Sequence, residues 1–412
     1  MKKALSSYIL IYILLSASCH HGDGHPPGID QDSSFRKGEF GYDLQFLQKQ
    51  DSGLVVLRNG DAQVIVSPKY QAKVFTSTAL GGHGFSFGWI NYKVFGNKPD
   101  PHMNAYGGEN RLWLGPEGGK YSLFFKPDSP MVFANWKTPP PIDTEGWNLR
   151  RKDSGTVSMF KEMSLINYAG TQLLLRVDRR IRILDRGEIL KRTGAARYDS
   201  LHAVGYETEN VLTNTGELEW TATTGIPCIW LLDMFKPSPA TVVILPFRPA
   251  PGKDFKKIAT TGYFGEIPAE RLKHNDSLLF FKADGKSRGK LGIVPKQARN
   301  VAGSYDAENK VLTIILFDVD GESSYLNQEW NITKPVFSGD AVNAYNDGPL
   351  TDGTQMGPFY EIESVSPAAI LKSKGSIIHR HSVFHFTGSE KELDKIALKL
   401  LGISLDSIRN IF

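Results

Sequence analysis

Apolar and polar residues alternate with a period of two over most of residues 40–386, and long helical patterns are nearly absent. In TQLLLRVDRRIRIL, Leu173, Leu175, Val177, Ile181 and Ile183 share one face, and Arg176, Asp178, Arg180 and Arg182 share the other. That is the pattern of a half-buried antiparallel strand. LVVLRNGDAQVIVS sets Asn59-Gly60 between two apolar runs, which predicts a hairpin. VLTIILFDV, residues 311–319, is apolar on both faces and predicts an interior strand covered on each side. Many such segments, separated by Gly, Pro, Asn and Asp turns, predict an all-β fold built as a large sandwich.

The end of the chain departs from this pattern. Ser389 is followed three residues later by Glu392, a capping-box spacing, and Leu393, Ile396, Ala397 and Leu400 recur at helical intervals. A short C-terminal helix over residues 389–412, packed on a β domain of residues 37–388, is the expectation. There is no repeat of fixed period and no interior break in composition.

The first residues carry two lysines, an apolar run from Tyr8 to Leu15, the small residues Ser16 to Ser18, and then Cys19. The run is far short of the ~20 residues a bilayer core requires, so it predicts a signal peptide over 1–18 and not a membrane span. A cysteine directly after the small residues predicts lipidation at Cys19 and a place in the cell envelope, periplasmic or surface-exposed, anchored to the outer membrane by lipid alone. Residues 19–36 are polar and rich in Gly and Pro, and they predict a solvated tether. Its histidines, His20, His21 and His25, have no fixed geometry for a metal, so no metal and no cofactor is expected.

The chain has two cysteines, and the second, Cys228, lies in the apolar segment GIPCIWLL. No disulfide framework is possible, so the core must hold the domain alone; 41% hydrophobic residues permit it. A net charge of +4 from scattered basic residues gives no nucleic-acid surface.

Phosphate-loop and His-Glu-x-x-His patterns are absent from the sequence, and its two Gly-x-Ser-x-Gly matches, at 84–88 and 285–289, are not followed by a helical pattern and make no nucleophile elbow. Polar and aromatic residues instead gather in Gly-rich segments. GGHGFSFGWINY offers His83 and Trp89, and YGGENRLWLGPEGG offers Glu109, Asn110, Arg111, Trp113 and Glu117. Indole faces stack on sugar rings, while Arg, Asn and Glu bind hydroxyls, so both segments suit a sugar or oligosaccharide. The same residues also suit core packing and a structural ion pair. NWKTPPPIDTEGW sets Trp136 and Trp147 around three prolines on a predicted surface loop, either a sugar platform or a cover for a sheet edge. FYEIESVSP places Glu361 and Glu363 on one strand face, and SIIHRHSVFHF places His379, His381 and His385 on one face of the next. If the two faces coincide, a carboxylate and a histidine form an acid/base pair; the register of the pairing decides it.

SFGWIN, YGGENRLWLGPEGG, VLTNTGELEW, NDGP and FYEIESVSP together resemble a group of Bacteroidota envelope proteins and, through it, the galactose mutarotase-like (aldose 1-epimerase) superfamily. The resemblance implies a β-supersandwich. It also implies a late-strand glutamate that takes the proton of the anomeric hydroxyl, here Glu363 or Glu361, and a sugar-binding Asn-Arg pair, here Asn110 and Arg111. The histidine that protonates the ring oxygen is expected shortly after VLTNTG, where this sequence continues GELEWTATTGIPCIWLLD without one. His83, His202 or a C-terminal histidine such as His381 would have to serve. The expectation is therefore a mutarotase-like isomerase on a sugar, with a glycan-binding lipoprotein or a glycoside hydrolase or lyase as alternatives. The last would use Glu117 and Glu363 as its pair.

Overall fold

The computed structural model describes residues 34–195 and 200–412. The signal peptide, Cys19 and nearly all of the predicted tether lie outside the described residues. Strands dominate, in three sheets that are antiparallel throughout. A small meander is formed by Val55–Asn59, Ala62–Ser67 and Lys73–Thr78, with Asn59 paired to Ala62 across a turn in which Gly60 has a φ of 60°.

The largest sheet has ten strands. At its centre Val311–Phe317 pairs with Ser376–Gly388, which pairs with Leu201–Asn214 and then Gln172–Ile183. The third sheet has six strands, in the order Ala259–Thr260, Gly289–Ile293, Val342–Asn346, Tyr360–Val365, Cys228–Phe235 and Arg111–Gly115. The inner faces of the two large sheets share one apolar core.

The alternation in Gln172–Ile183 is realised: Leu173, Leu175, Val177, Ile181 and Ile183 are buried. Arg179 has the same parity and is buried with them. Val311–Phe317 is covered on both sides, with Val311 and Ile315 in the inter-sheet core and Leu312 and Ile314 in a second cluster. That second cluster includes Leu393, Ile396, Ala397 and Leu401, so the C-terminal helix Glu390–Leu400 closes the outer face of the large sheet. Ser389 is its N-cap, but its side chain makes no capping bond. A second short helix, Leu405–Arg409, follows.

Two helices interrupt the expected run of strands. Phe40–Gln50 buries Phe40, Asp43 and Leu47, one face at helical spacing. Arg186–Thr193 opens on a complete capping box between Asp185 and Glu188 and closes on Gly194 in the left-handed region, φ 65°. Cys228 is buried as its apolar neighbours imply, and burial pushes its thiol up to about 12.

The histidine strand does not form a hairpin with the glutamate strand. Tyr360–Val365 belongs to the six-stranded sheet and Ser376–Gly388 to the ten-stranded one. The chain crosses from one layer to the other between them, so the two sets of side chains are related by sheet packing and not by hairpin register.

Candidate functional site

Direct cross-strand partners share a face, so the registers of the six-stranded sheet fix what each face carries. Glu361 pairs with Met234 and Tyr345, Glu363 with Leu232 and Asn343, Arg111 with Leu232, Trp113 with Trp230, and Lys290 with Tyr345. All of these therefore share one face, and it is turned away from the ten-stranded sheet, because Asp233 and Ser364 on the opposite face bond to His381 and His379 of that sheet. Ile362, Ser364, Asp233, Leu112 and Asn110 alternate with them and point inward.

The outward face holds interlocked charged and aromatic groups. Arg111 Nη2 donates to Glu361 Oε1, and the guanidinium lies 5.1 Å from the centre of the Trp113 ring. Lys290 Nζ donates to Glu363 Oε2 at 2.8 Å and sits 4.5 Å from the Trp230 ring centre. Trp230 Nε1 donates to the same carboxylate oxygen at 2.9 Å. Arg111 and Glu361 are each only 6% exposed and Glu363 1%. At that burial, Glu363 Oε1 and Arg111 Nε are left without a hydrogen-bond partner. Burial costs such atoms their hydration, so Glu363 Oε1 keeps acceptor capacity and Arg111 Nε donor capacity that no other side chain among the described residues uses.

Loops complete the walls. Glu117 Oε1 accepts from Trp330 Nε1 at 3.1 Å, and burial raises its carboxyl against the opposing pull of Lys290. Tyr263 donates to Asp340 at 2.7 Å, and burial lifts that acid to about 6. Glu361 is pushed up to about 7, first by burial; Arg111 and Lys290 act against the rise and the neighbouring Glu363 adds to it. A carboxyl in that range can hold or release a proton near neutrality.

The structure brings together Arg111, Glu361, Glu363 and Glu117, with Trp113 beside them. Trp89 sits at the margin, 4.7 Å from Phe359 and packed with Met234. Other predicted residues fall elsewhere. Asn110 is adjacent to Arg111 but points to the opposite face, bonded to Asp233 at 2.5 Å. A strand alternates its side chains, so the Asn-Arg pair is split. His381 also lies behind the sheet, 2.6 Å from Asp233, and it cannot act with Glu361 or Glu363 across the intervening layer. His83 is a surface residue against Glu39 and Phe35, with its side chain 72% exposed, and His202 is exposed on the ten-stranded sheet. Trp136 is not a free platform: it is 7% exposed and stacked with Phe124 and Trp330, both at 6.0 Å.

Lys290, Trp230, Trp330 and the Tyr263 to Asp340 pair were not singled out from sequence. Lys290 had a readable signal, since it is the one charged residue of the short buried strand Gly289–Ile293.

The model of one protein family matches residues 38–412. The chain belongs to DUF6786, a family of unknown function. No curated protein matches this DUF6786 chain in sequence. Among solved structures it is similar to a galactose mutarotase-like protein from Lactobacillus casei, at 9% identity and a TM-score of 0.49, over 81% of this chain and 100% of the other. It is similar also to the Slr1438 protein from Synechocystis, at 10% identity and a TM-score of 0.49, over 82% of this chain and 96% of the other. Likeness at the level of fold does not carry chemistry from one chain to another.

Proposed function

We propose that the outward face of the six-stranded sheet binds a sugar or oligosaccharide and that Glu361 and Glu363 move protons on it, as in a mutarotase or epimerase. The observation that carries this reading is the pair of buried carboxyls two residues apart on one strand, set among cations and indole rings. Two residues along a strand span about 6.8 Å, so both carboxyls reach a single pyranose ring.

In the ring-opening step, Glu363 Oε1 takes the proton of the anomeric hydroxyl, and the C1–O1 bond becomes a carbonyl. The C1–O5 bond breaks, its electron pair goes to O5, and Glu361 delivers its proton there. Rotation about C1–C2 and the reverse transfers give the other anomer. Arg111 and Lys290 hold the two carboxyls in place and compensate their charge.

A second reading, a glycan-binding protein without turnover, is favoured by one observation. Among the described residues, the side chains that hydrogen-bond to Glu361 and Glu363 are Arg111, Lys290 and Trp230, with no histidine. A glycan array identifies the ligand, and anomer exchange by NMR then separates the readings. Under the enzyme reading, Glu361→Gln and Glu363→Gln each lose roughly 10²–10⁴-fold in exchange rate while binding holds. A wild type that binds a sugar and leaves exchange at the buffer rate establishes the binder.

We further propose that the protein is lipid-anchored in the cell envelope through Cys19. Support for this is the signal-like run before that cysteine.

A further inference from the structure

The three histidines of Ser376–Gly388 are buried behind the candidate site and take no part in the chemistry above. His379 Nε2 and His381 Nδ1 both lie 2.8 Å from the Ser364 hydroxyl. A hydroxyl donates once and accepts through two lone pairs, so Ser364 serves both rings. His381 Nε2 is 2.6 Å from Asp233 Oδ2, and Asn110 Nδ2 donates to Asp233 Oδ1. Asn110 Oδ1 in turn accepts from Arg179 Nη2. Arg179 also donates to Asn210 Oδ1 at 2.7 Å, Ala72 O at 3.0 Å and Asn110 O at 3.3 Å. All six residues from His379 to Arg179 are buried, at 1% exposure or less.

This chain touches the sheet at two places that matter to the other side. Asn110 immediately precedes Arg111, and Ser364 immediately follows Glu363. Apolar packing of the same volume would fill the space, but it would not fix the backbone at both points. Arg179 Nη2 donates to both the carbonyl and the side-chain oxygen of Asn110, while Nη1 and Nε are held by Asn210 and Ala72, so the planar guanidinium is fixed at all three nitrogens.

We propose that the buried chain from Arg179 through Asn110, Asp233, His381 and Ser364 to His379 is a set of positioning residues that hold Arg111 and Glu363 in register on the outward face. Asn110 sets the approach of Arg111 to Glu361, and Ser364 sets the place of Glu363 beside it. The inference rests on the reading that Arg111, Glu361 and Glu363 are the working groups, but its test requires neither sugar nor turnover. Failure here and failure of the sugar reading are therefore distinguishable.

The test is the titration of Glu361, followed by carboxyl carbon-13 NMR in protein labelled on glutamate, with the resonance assigned by its loss in Glu361→Gln. In the wild type burial should place the midpoint at about 7. An opposite charge at contact distance lowers a carboxyl by about 1–3 units, so releasing Arg111 from its fixed approach raises the midpoint by about a unit or more. Asn110→Ala should show this rise. Arg179→Lys keeps the buried charge but has three donors where the arginine makes four contacts, and should show a rise in the same direction, providing a second reading if Asn110→Ala fails to fold. Leu312→Ala, a core truncation in the cluster on the far face of the ten-stranded sheet, should lower Tm and leave the midpoint in place. A midpoint unmoved in Arg179→Lys, with Tm reduced as in Leu312→Ala, would show that the chain is structural only and overturn the proposal.

Discussion

Glu361→Gln should make the protein relatively more stable as pH rises, because the wild type alone must ionise a buried carboxyl. The group moves from 4.5 in the unfolded chain to about 7 in the native state. Between those values the native protein holds a proton that the unfolded chain has released. Stability from this residue is therefore full below pH 4.5 and is lost as pH climbs through 7. The shift is about 2.5 units, and at about 1.4 kcal/mol per unit it corresponds to on the order of 3 kcal/mol. The side chain is only 8% exposed, so solvent screening removes little of this. Gln does not titrate, and Asp340 and Lys73, which also titrate in or near the window, are common to both proteins and cancel in the difference. Losing the partner of Arg111 adds an offset that is nearly independent of pH. Urea unfolding of both proteins at steps from pH 4.5 to 8.5 gives the comparison, with equal m values as the check that the two unfold alike. The difference in unfolding free energy should move by on the order of 3 kcal/mol in favour of Gln from the acidic to the basic end. A difference constant to within about 1 kcal/mol would refute the reasoning.

Cys228 should resist a maleimide in the native protein and react quickly after unfolding in urea, since burial holds its thiol near 12; rapid labelling of the folded chain would contradict this. Cys19→Ala should abolish incorporation of a palmitate analogue in cells, and unchanged labelling would remove the lipid anchor from the account. Ile315→Ala truncates a fully buried side chain of the central strand Val311–Phe317 and should cost about 2–5 kcal/mol by urea unfolding; a loss under 1 kcal/mol would mean the inter-sheet core packs differently.

The period-two pattern exposed what is local. It located Gln172–Ile183 and Val311–Phe317, and the helical spacing after Ser389 located the last helix. The same rule held information that went unread. Arg179 shares parity with Leu175 and Val177, so its burial followed from the pattern that buried them. Asn110 and Arg111 are consecutive in an extended segment and could not both face one ligand. The capping box of Asp185 and Glu188 was equally visible. Phe40–Gln50 was harder, because its aromatic residues suit a strand as well as a helix. What no local pattern contains is which sheet a strand joins. Glu361 and His381 are twenty residues apart, and only the crossing between two layers, set by pairings with segments as distant as Val311–Phe317 and Cys228–Phe235, puts them on opposite sides of Tyr360–Val365.

The indole N–H resonances test the central claim most directly. Trp230 and Trp330 donate to Glu363 and Glu117 at the candidate site, whereas Trp147 donates to Pro141 O and Trp220 lies in the core beside Leu371. Titrating nitrogen-15-labelled protein with a sugar that scores on the array should shift the Trp230 and Trp330 signals and leave those of Trp147 and Trp220 in place. A sugar that binds without moving Trp230 or Trp330, or an array on which nothing binds, would contradict the assignment of this face as a carbohydrate site.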